Sequence, residues 1–60
     1  MKLKEAREAK KMSQTELALK VGVKSNTISM YEAGKREPKI ELLKKIAREL
    51  DISVDKLIEN

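Results

Sequence analysis

The stretch SQTELALKVGVKSNTISMYEAG, Ser13–Gly34, decides the fold because it contains two predicted helices and the break between them. Ser13 followed three residues later by Glu16 predicts a capping box, in which hydroxyl and carboxylate satisfy two unpaired backbone N–H groups at a helix start. Gly22 follows the last apolar residue of this helix, where glycine readily adopts the left-handed conformation that ends helices. The sequence therefore predicts one helix, a definite stop and a second helix.

The second helix is expected to begin near Lys24 or Ser25 and to end at Gly34. At 100° per residue, Ile28 and Tyr31 face one side, which we assign to the core. The opposite side carries short, mostly uncharged side chains, whereas a merely solvated helix usually presents Lys, Glu and Arg. This contrast indicates that the helix contacts a partner. The outward residues are Ser25, Asn26, Ser29, Met30 and Ala33.

Three further helices are predicted around this pair. Helix 1 covers about Lys2–Lys10, helix 4 covers about Ile40–Leu50, and a last helix runs from its N-cap Ser53 to about Ile58. Apolar and charged residues each make up 40% of the chain, with only 2 Gly and 1 Pro, a composition typical of an all-α fold. The residues expected to turn inward are Leu3, Ala6 and Arg7 in helix 1, Leu17, Ala18 and Val21 in helix 2, and Ile40, Leu43, Ile46, Ala47 and Leu50 in helix 4.

The composition argues against several classes of function. Histidine and cysteine are both absent, which excludes disulfides, thiolate metal sites and the commonest general base and metal ligand. Catalysis would need paired carboxylates in a cleft, but the acidic residues resemble helix caps and surface charges. We expect no catalytic residue, no metal and no cofactor. Apolar runs are too short to span a bilayer or to form a signal peptide, so we expect a cytoplasmic protein. The length of 60 residues predicts one domain, 1–60.

The positive charge is unevenly distributed. The chain carries 14 basic and 10 acidic residues, a net charge of +4. Residues 1–39 contain 10 basic and 5 acidic residues, a net charge of +5, whereas residues 40–60 contain 4 and 5, a net charge of −1. A basic region of this kind favours a polyanionic partner, although a solvated charged surface explains the charge equally well.

Two helices joined by a turn of about four residues that contains Gly have the geometry of a helix-turn-helix, whose second helix enters the major groove of DNA. An ordinary αα-hairpin is the alternative on geometry alone. The stretch SQTELALKVGVKSNTISMYEAGKREP, continued through LLKKIARELDISVDKLI, resembles the phage-repressor-like family, also called the XRE or lambda-repressor-like family. The specific features are Gln14, ELA followed by KVGV, TIS, the YEAGKREP exit and the closing SVDKL. The resemblance covers essentially the whole chain.

This resemblance implies a compact five-helix all-α lambda-repressor-like domain that binds double-stranded DNA sequence-specifically, with the helix-turn-helix at helices 2 and 3. Helix 3, about 25–33, would lie in the major groove, and the protein would be a transcriptional regulator, with repression the expected action. A half-site gives modest specificity, so we expect a homodimer on a two-fold operator. Apolar candidates for the dimer contact are Leu19 and Ile58, with Leu57 assigned rather to the core.

The resemblance also implies roles for individual residues. Asn26 can bond an adenine edge bidentately and Met30 can contact a thymine methyl group. Because no Arg lies on this face, we expect the central contacts to favour A·T pairs. The family pattern implies base contacts from Lys24, Ser25, Asn26, Ser29 and Met30, phosphate contacts from Gln14, Thr27, Lys35 and Arg36, and a structural ion pair between Arg7 and Glu32.

Three lysines depart from the family pattern. Lys11 occupies a position that is commonly Gly, where a left-handed backbone would cost about 1 kcal/mol. Lys24 stands where Ser or Thr often caps helix 3, and Lys39 stands where Ser often precedes helix 4, so that Ser25 competes as the cap of helix 3. Two other classes of function stay open: a protein-interaction module, such as an antitoxin or adaptor part on the same scaffold, and an engineered helical scaffold.

Overall fold

The computed structural model describes residues 1–60 and contains five α-helices and no strand. The all-α, five-helix prediction is confirmed, although helix 1 is one residue shorter at each end than predicted and helix 3 ends before Gly34. None of the five helices has the length and apolar character that crossing a membrane requires. The helices are α1 Leu3–Ala9, α2 Gln14–Val21, α3 Ser25–Glu32, α4 Ile40–Leu50 and α5 Val54–Ile58.

The helix starts are of two kinds. Ser13 forms the predicted capping box, with its hydroxyl accepting from the Glu16 N–H at 3.0 Å and its own N–H donating to the Glu16 carboxylate at 3.0 Å. Ser53 likewise caps α5. By contrast, α3 and α4 begin after Lys24 and Lys39, and neither lysine side chain bonds the helix. Ser25 is therefore not a cap but the first residue of α3, so the helix begins at the position that the resemblance implies.

The first four helices end in the same way. One residue with a left-handed backbone follows each of them, and the next N–H donates to a carbonyl five residues back, as in a Schellman motif. Two of the left-handed positions hold glycine, which adopts this conformation without steric cost, and two hold larger residues. The left-handed residues are Lys11, Gly22, Gly34 and Asp51, and the bonds run from Met12 to Arg7, Val23 to Ala18, Lys35 to Met30 and Ile52 to Ala47.

One hydrophobic core joins all five helices. α2 packs against α3 and α4, while α1 packs against α3 and α5, and α4 against α5. The prediction that Ile40 turns inward is wrong, because 54% of this residue is exposed. Ile40 is the first residue of α4, and the buried positions of that helix lie in its second half. The buried apolar residues are Leu3, Leu17, Ala18, Val21, Ile28, Tyr31, Ile46, Ala47, Leu50 and Leu57.

Candidate nucleic-acid interface

The outer face of α3 is unoccupied by any other part of the protein. Lys24, Ser25 and Asn26 are exposed, and Ser29 and Met30 are half-buried. None of these five side chains takes part in a hydrogen bond or an ion pair within the protein. Their polar atoms are therefore available to a ligand. The structure brings all five candidate base-contact residues together on one helix and its N-cap.

The opposite side of α3 is fixed to the body. Ile28 is fully buried and Tyr31 is 6% exposed, so both side chains pack into the core. Because α2 is the main neighbour of α3, with Leu17, Ala18 and Val21 in the same core, the angle between the two helices is set by apolar contact. The outer face is thus presented on a rigid support.

An ion pair between Arg7 and Glu32 anchors the C-terminal end of α3. Arg7 Nε donates to Glu32 Oε2 at 2.7 Å and Nη2 donates to Oε1 at 3.3 Å, a two-pronged contact. Arg7 Nη1 also donates to the carbonyl oxygen of Met12 at 2.7 Å. The two side chains are 10% and 7% exposed, so the pair is largely shielded from water. It connects α1, the α1–α2 loop and α3.

Gln14 belongs to the same cluster. Its Nε2 donates to Glu32 Oε1 at 3.0 Å, so one carboxylate joins the first residue of α2 to the last residue of α3. The residues alone gave no sign of this bond, since neither spacing nor residue type relates positions at the far ends of two helices. The contact follows from how the helices cross. Of the four candidate phosphate contacts, only Gln14 is already bound within the protein.

The cluster shifts the ionisation of both charged partners. Burial by itself would raise the pKa of Glu32, but hydrogen bonds from Arg7 and Gln14 and the charge of Arg7 outweigh it, and the pKa of this carboxyl lies below its ordinary value. The hydrogen bond to Glu32 raises the pKa of Arg7, against the opposing effect of burial. Both groups are therefore charged at neutral pH.

The other candidate phosphate contacts lie at the borders of α3. Thr27 is half-buried, and Lys35 and Arg36 are exposed in the loop that follows the helix. Neither Lys35 nor Arg36 forms an ion pair with an acidic residue. Their charges are therefore not neutralised within the protein. With Lys24 at the other end, cations stand at both ends of the exposed face of α3.

Two helix starts near this face keep free backbone donors. The capping box of α2 uses the N–H groups of Ser13 and Glu16 and leaves those of Gln14 and Thr15 without a partner. The N–H groups of Ser25 and Asn26 at the start of α3 are also unpaired. Free N–H groups at the positive end of a helix dipole favour an anion.

No group of three or more His, Cys, Asp or Glu side chains could hold a metal ion.

A family model described as helix-turn-helix matches residues 3–57 of the sequence. The chain belongs to the helix-turn-helix family. The relatives of this helix-turn-helix chain include proteins named HTH-type transcriptional regulators and a phage repressor, so the resemblance read from the sequence is confirmed. No solved structure shows a significant match to it.

Three relatives illustrate the range of this family. Multiprotein-bridging factor 1 of Candida albicans is 44% identical over 52 residues, which are 87% of this chain and 34% of the relative. An uncharacterized HTH-type transcriptional regulator of Archaeoglobus fulgidus is 41% identical over 56 residues, 93% of this chain and 80% of the relative. The cryptic phage CTXphi transcriptional repressor RstR of Vibrio cholerae is 30% identical over 59 residues, which are 98% of this chain and 53% of the relative. This helix-turn-helix chain spans about a third of the length of the bridging factor.

Proposed function

We propose that the chain binds double-stranded DNA sequence-specifically and acts as a transcriptional repressor, with α3 in the major groove. The observation that carries the proposal is the outer face of α3: short, unpartnered side chains on a helix whose other side is fixed in the core. An α-helix fits the major groove when its outer side chains permit close approach. The similarity to the transcriptional repressor RstR supports the direction of regulation.

In this proposal the bases are read by Lys24, Ser25, Asn26, Ser29 and Met30. The amide of Asn26 bonds the N6 and N7 edge of adenine, and Met30 contacts a thymine methyl group. The exposure of Asn26 and the partial burial of Met30 suit these two kinds of contact. Because no arginine stands on this face, the central base pairs of the site are A·T.

The phosphate backbone is held by residues that surround the exposed face. Lys35 and Arg36 supply charge after α3, and Thr27 lies beside the exposed face as a further contact. Gln14 contributes through the free N–H at the start of α2 and through an amide that Glu32 already orients. Phosphate contacts fix the position of the protein on the duplex, while base contacts select the sequence.

Regulation in this proposal uses a homodimer on a two-fold operator whose half-sites lie about one helical turn apart. Leu19 is 78% exposed and Ile58 is 49% exposed, so both remain candidates for the contact between subunits. Leu57 is fully buried and belongs to the core. Comparing the affinity for an inverted repeat with the affinity for a single half-site tests the dimer, because a monomer binds both with equal affinity per half-site.

The deciding experiment is a selection of binding sites from random DNA, followed by affinity measurements at two salt concentrations. We expect a selected site with A·T pairs at its centre, and specific binding that persists at the higher salt. Binding that is weak, independent of sequence and abolished by salt would contradict the proposal. A strong preference for guanine across the centre would contradict the assigned base contacts alone.

A second candidate is a protein-interaction module on the same scaffold. It is favoured by the similarity to multiprotein-bridging factor 1 and by Leu19, which is the most exposed large apolar residue at 78%. In this case the outer face of α2 would carry the function instead of α3. Leu19→Ser would then abolish partner binding, whereas under the DNA proposal it would leave affinity for a half-site unchanged.

A further inference from the structure

Met30 differs from every other half-buried apolar residue of the chain. All the others pack against the hydrophobic core, and Met1 and Met12 are among them. Met30 does not, because it comes two residues after the fully buried Ile28 and so lies on nearly the opposite side of α3. Its thioether therefore lies outside the core, on the face that is proposed to contact the bases.

The methionines are the sites at which this chain can be oxidised reversibly. Cysteine is absent and methionine occurs three times, so no thiol competes with the thioethers for an oxidant. Methionine sulfoxide is a reversible product, because reductases convert it back to methionine. Oxidation of Met1 or Met12 acts on a side chain that packs against the core. Met30 is the one methionine whose oxidation changes the outer face of α3 instead.

The position of α3 does not depend on the Met30 side chain. Ile28 and Tyr31 hold the helix in the core, and Glu32 joins its end to Arg7 at 2.7 Å. Oxidation of Met30 removes none of these contacts. A change at this sulfur atom is therefore expected to alter what the outer face can bind and to leave the fold in place.

We propose that Met30 is an oxidation site at which hydrogen peroxide releases the chain from DNA. The inference rests on the proposed DNA binding and adds the regulation of that same face. The oxidant belongs to the peroxides, and the enzymes that reverse the change are methionine sulfoxide reductases.

The oxidation step transfers one oxygen atom to sulfur. A lone pair of the Met30 sulfur attacks one oxygen of hydrogen peroxide, and the O–O bond breaks. The proton of the transferred oxygen passes to the leaving hydroxide, which becomes water. The sulfur loses an electron pair and the peroxide gains it. The product is a polar S–O bond on a side chain that keeps its place in the helix.

The sulfoxide does not suit the contact assigned to Met30. The thioether is apolar and packs on a thymine methyl group, which offers no hydrogen-bond donor. The sulfoxide oxygen is a polar acceptor, and burial against a methyl group removes its water without supplying a partner. Affinity for the selected site should therefore fall about tenfold.

Met30→Leu and Met12→Leu form a matched pair for the test. Both exchange a thioether for a side chain of similar volume that lacks sulfur. Parent and variants are treated with hydrogen peroxide, freed of it, and each is compared with its own untreated form in binding to the selected site. The affinity of the parent and of Met12→Leu should fall about tenfold on treatment, and that of Met30→Leu should stay constant. An equal fall in Met30→Leu would overturn the assignment to Met30.

Two further measurements connect the loss of affinity to one sulfur atom. Trypsin cleaves after Lys24 and Lys35, so the peptide 25–35 contains Met30 and no other methionine, and its mass spectrum gives the oxidised fraction. The loss should follow this fraction, and a methionine sulfoxide reductase with a dithiol should restore the affinity. A loss that the reductase does not reverse would overturn the proposal. Circular dichroism showing that treated Met12→Leu is unfolded at the assay temperature would also overturn it.

The outcomes separate this inference from the proposed function. A parent that binds no DNA before treatment contradicts the proposed function. A parent that binds specifically, and whose affinity is unchanged when Met30 is fully oxidised, contradicts only the oxidation site. Resistance of Met30 to a peroxide concentration that oxidises Met1 and Met12 contradicts the oxidation site as well, because the thioether would then be sheltered.

Discussion

The inner and outer sides of α3 differ in almost every physical respect. On the inner side, Ile28 is fully buried and Glu32 is held by Arg7 and Gln14. On the outer side, Ser25 and Asn26 are exposed and their side chains form no hydrogen bond with the rest of the protein. One eight-residue helix thus carries both side chains that hold it to the body and side chains that, in the proposed function, contact DNA.

This separation predicts two independent classes of variant. Changes on the inner side should reduce the free energy of unfolding and affect DNA binding only through the fold. Changes on the outer side should reduce DNA affinity without affecting stability, since exposed side chains without partners contribute little to the folded state. Each substitution within α3 below is expected to fall clearly in one class.

Glu32→Ala should have the largest effect. It leaves the Arg7 guanidinium largely shielded from water without its partner, and breaking a buried pair in this way costs about 3 kcal/mol or more. Chemical denaturation of the variant measures the change. Glu8→Ala is the control, because Glu8 is exposed and forms no ion pair. A Glu32→Ala variant as stable as the control would mean that the pair contributes nothing to the inner side.

The same carboxylate predicts a pH dependence. Because the pKa of Glu32 is lower in the folded protein, its contribution to stability is complete above the ordinary carboxyl pKa of about 4.3 and is lost as pH falls through the folded value. Unfolding of the parent and of Glu32→Gln should therefore be compared between neutral pH and pH 3. The stability difference between them should shrink on acidification. A constant difference would show that the ionisation of Glu32 is irrelevant.

Asn26→Ala should show the largest effect on the outer side. Loss of a bidentate contact to adenine should reduce affinity for the selected site by about 1 to 3 kcal/mol, with no change in melting temperature. Affinity for random DNA should stay the same. Asn60→Ala, at the other asparagine, provides the control. A drop in melting temperature would place Asn26 on the wrong side of the comparison.

Arg36→Ala should have a smaller and less selective effect. Loss of one phosphate contact should weaken binding to all sequences and reduce the salt slope by roughly one unit. Fluorescence anisotropy at several salt concentrations measures both quantities. Arg48→Ala is a suitable comparison, because Arg48 is an exposed arginine on α4 with no assigned contact. Equal slopes for parent and Arg36→Ala would remove Arg36 from the interface.

Lys11→Gly should have the smallest effect and the opposite sign. Lys11 has a φ of 57°, so glycine relieves steric strain, partly offset by the greater freedom of glycine in the unfolded chain. The free energy of unfolding should rise by up to about 1 kcal/mol. Asp51→Gly, at a φ of 58°, should gain less, because aspartate tolerates this conformation better than lysine. A loss of stability in Lys11→Gly would contradict the strain.

Most helix boundaries were predictable because they depend on neighbours in the chain. The capping box at Ser13, the glycine after α2 and the cap at Ser53 are local patterns, and all three occur in the structure. The start of α3 was open between Lys24 and Ser25, since neither choice has a decisive local signal. The exposure of Ile40 was not predictable, because helical periodicity does not show where a helix extends beyond its neighbours.

The candidate site was likewise predictable from the sequence only in part. Helical periodicity placed four of the five candidate base-contact residues, Ser25, Asn26, Ser29 and Met30, on the outer face of α3, and the family resemblance added Lys24. The bond from Gln14 to Glu32 could not be predicted from the sequence, because it depends on how α2 and α3 approach one another.

The sequence by itself determined the number of helices, the break at Gly22 and the small polar face of α3, because each arises from interactions within a few residues along the chain. The tertiary structure alone decided that Glu32 joins Arg7 to Gln14. Those contacts join residues that are distant in sequence, and only packing of the apolar core brings them within hydrogen-bonding distance.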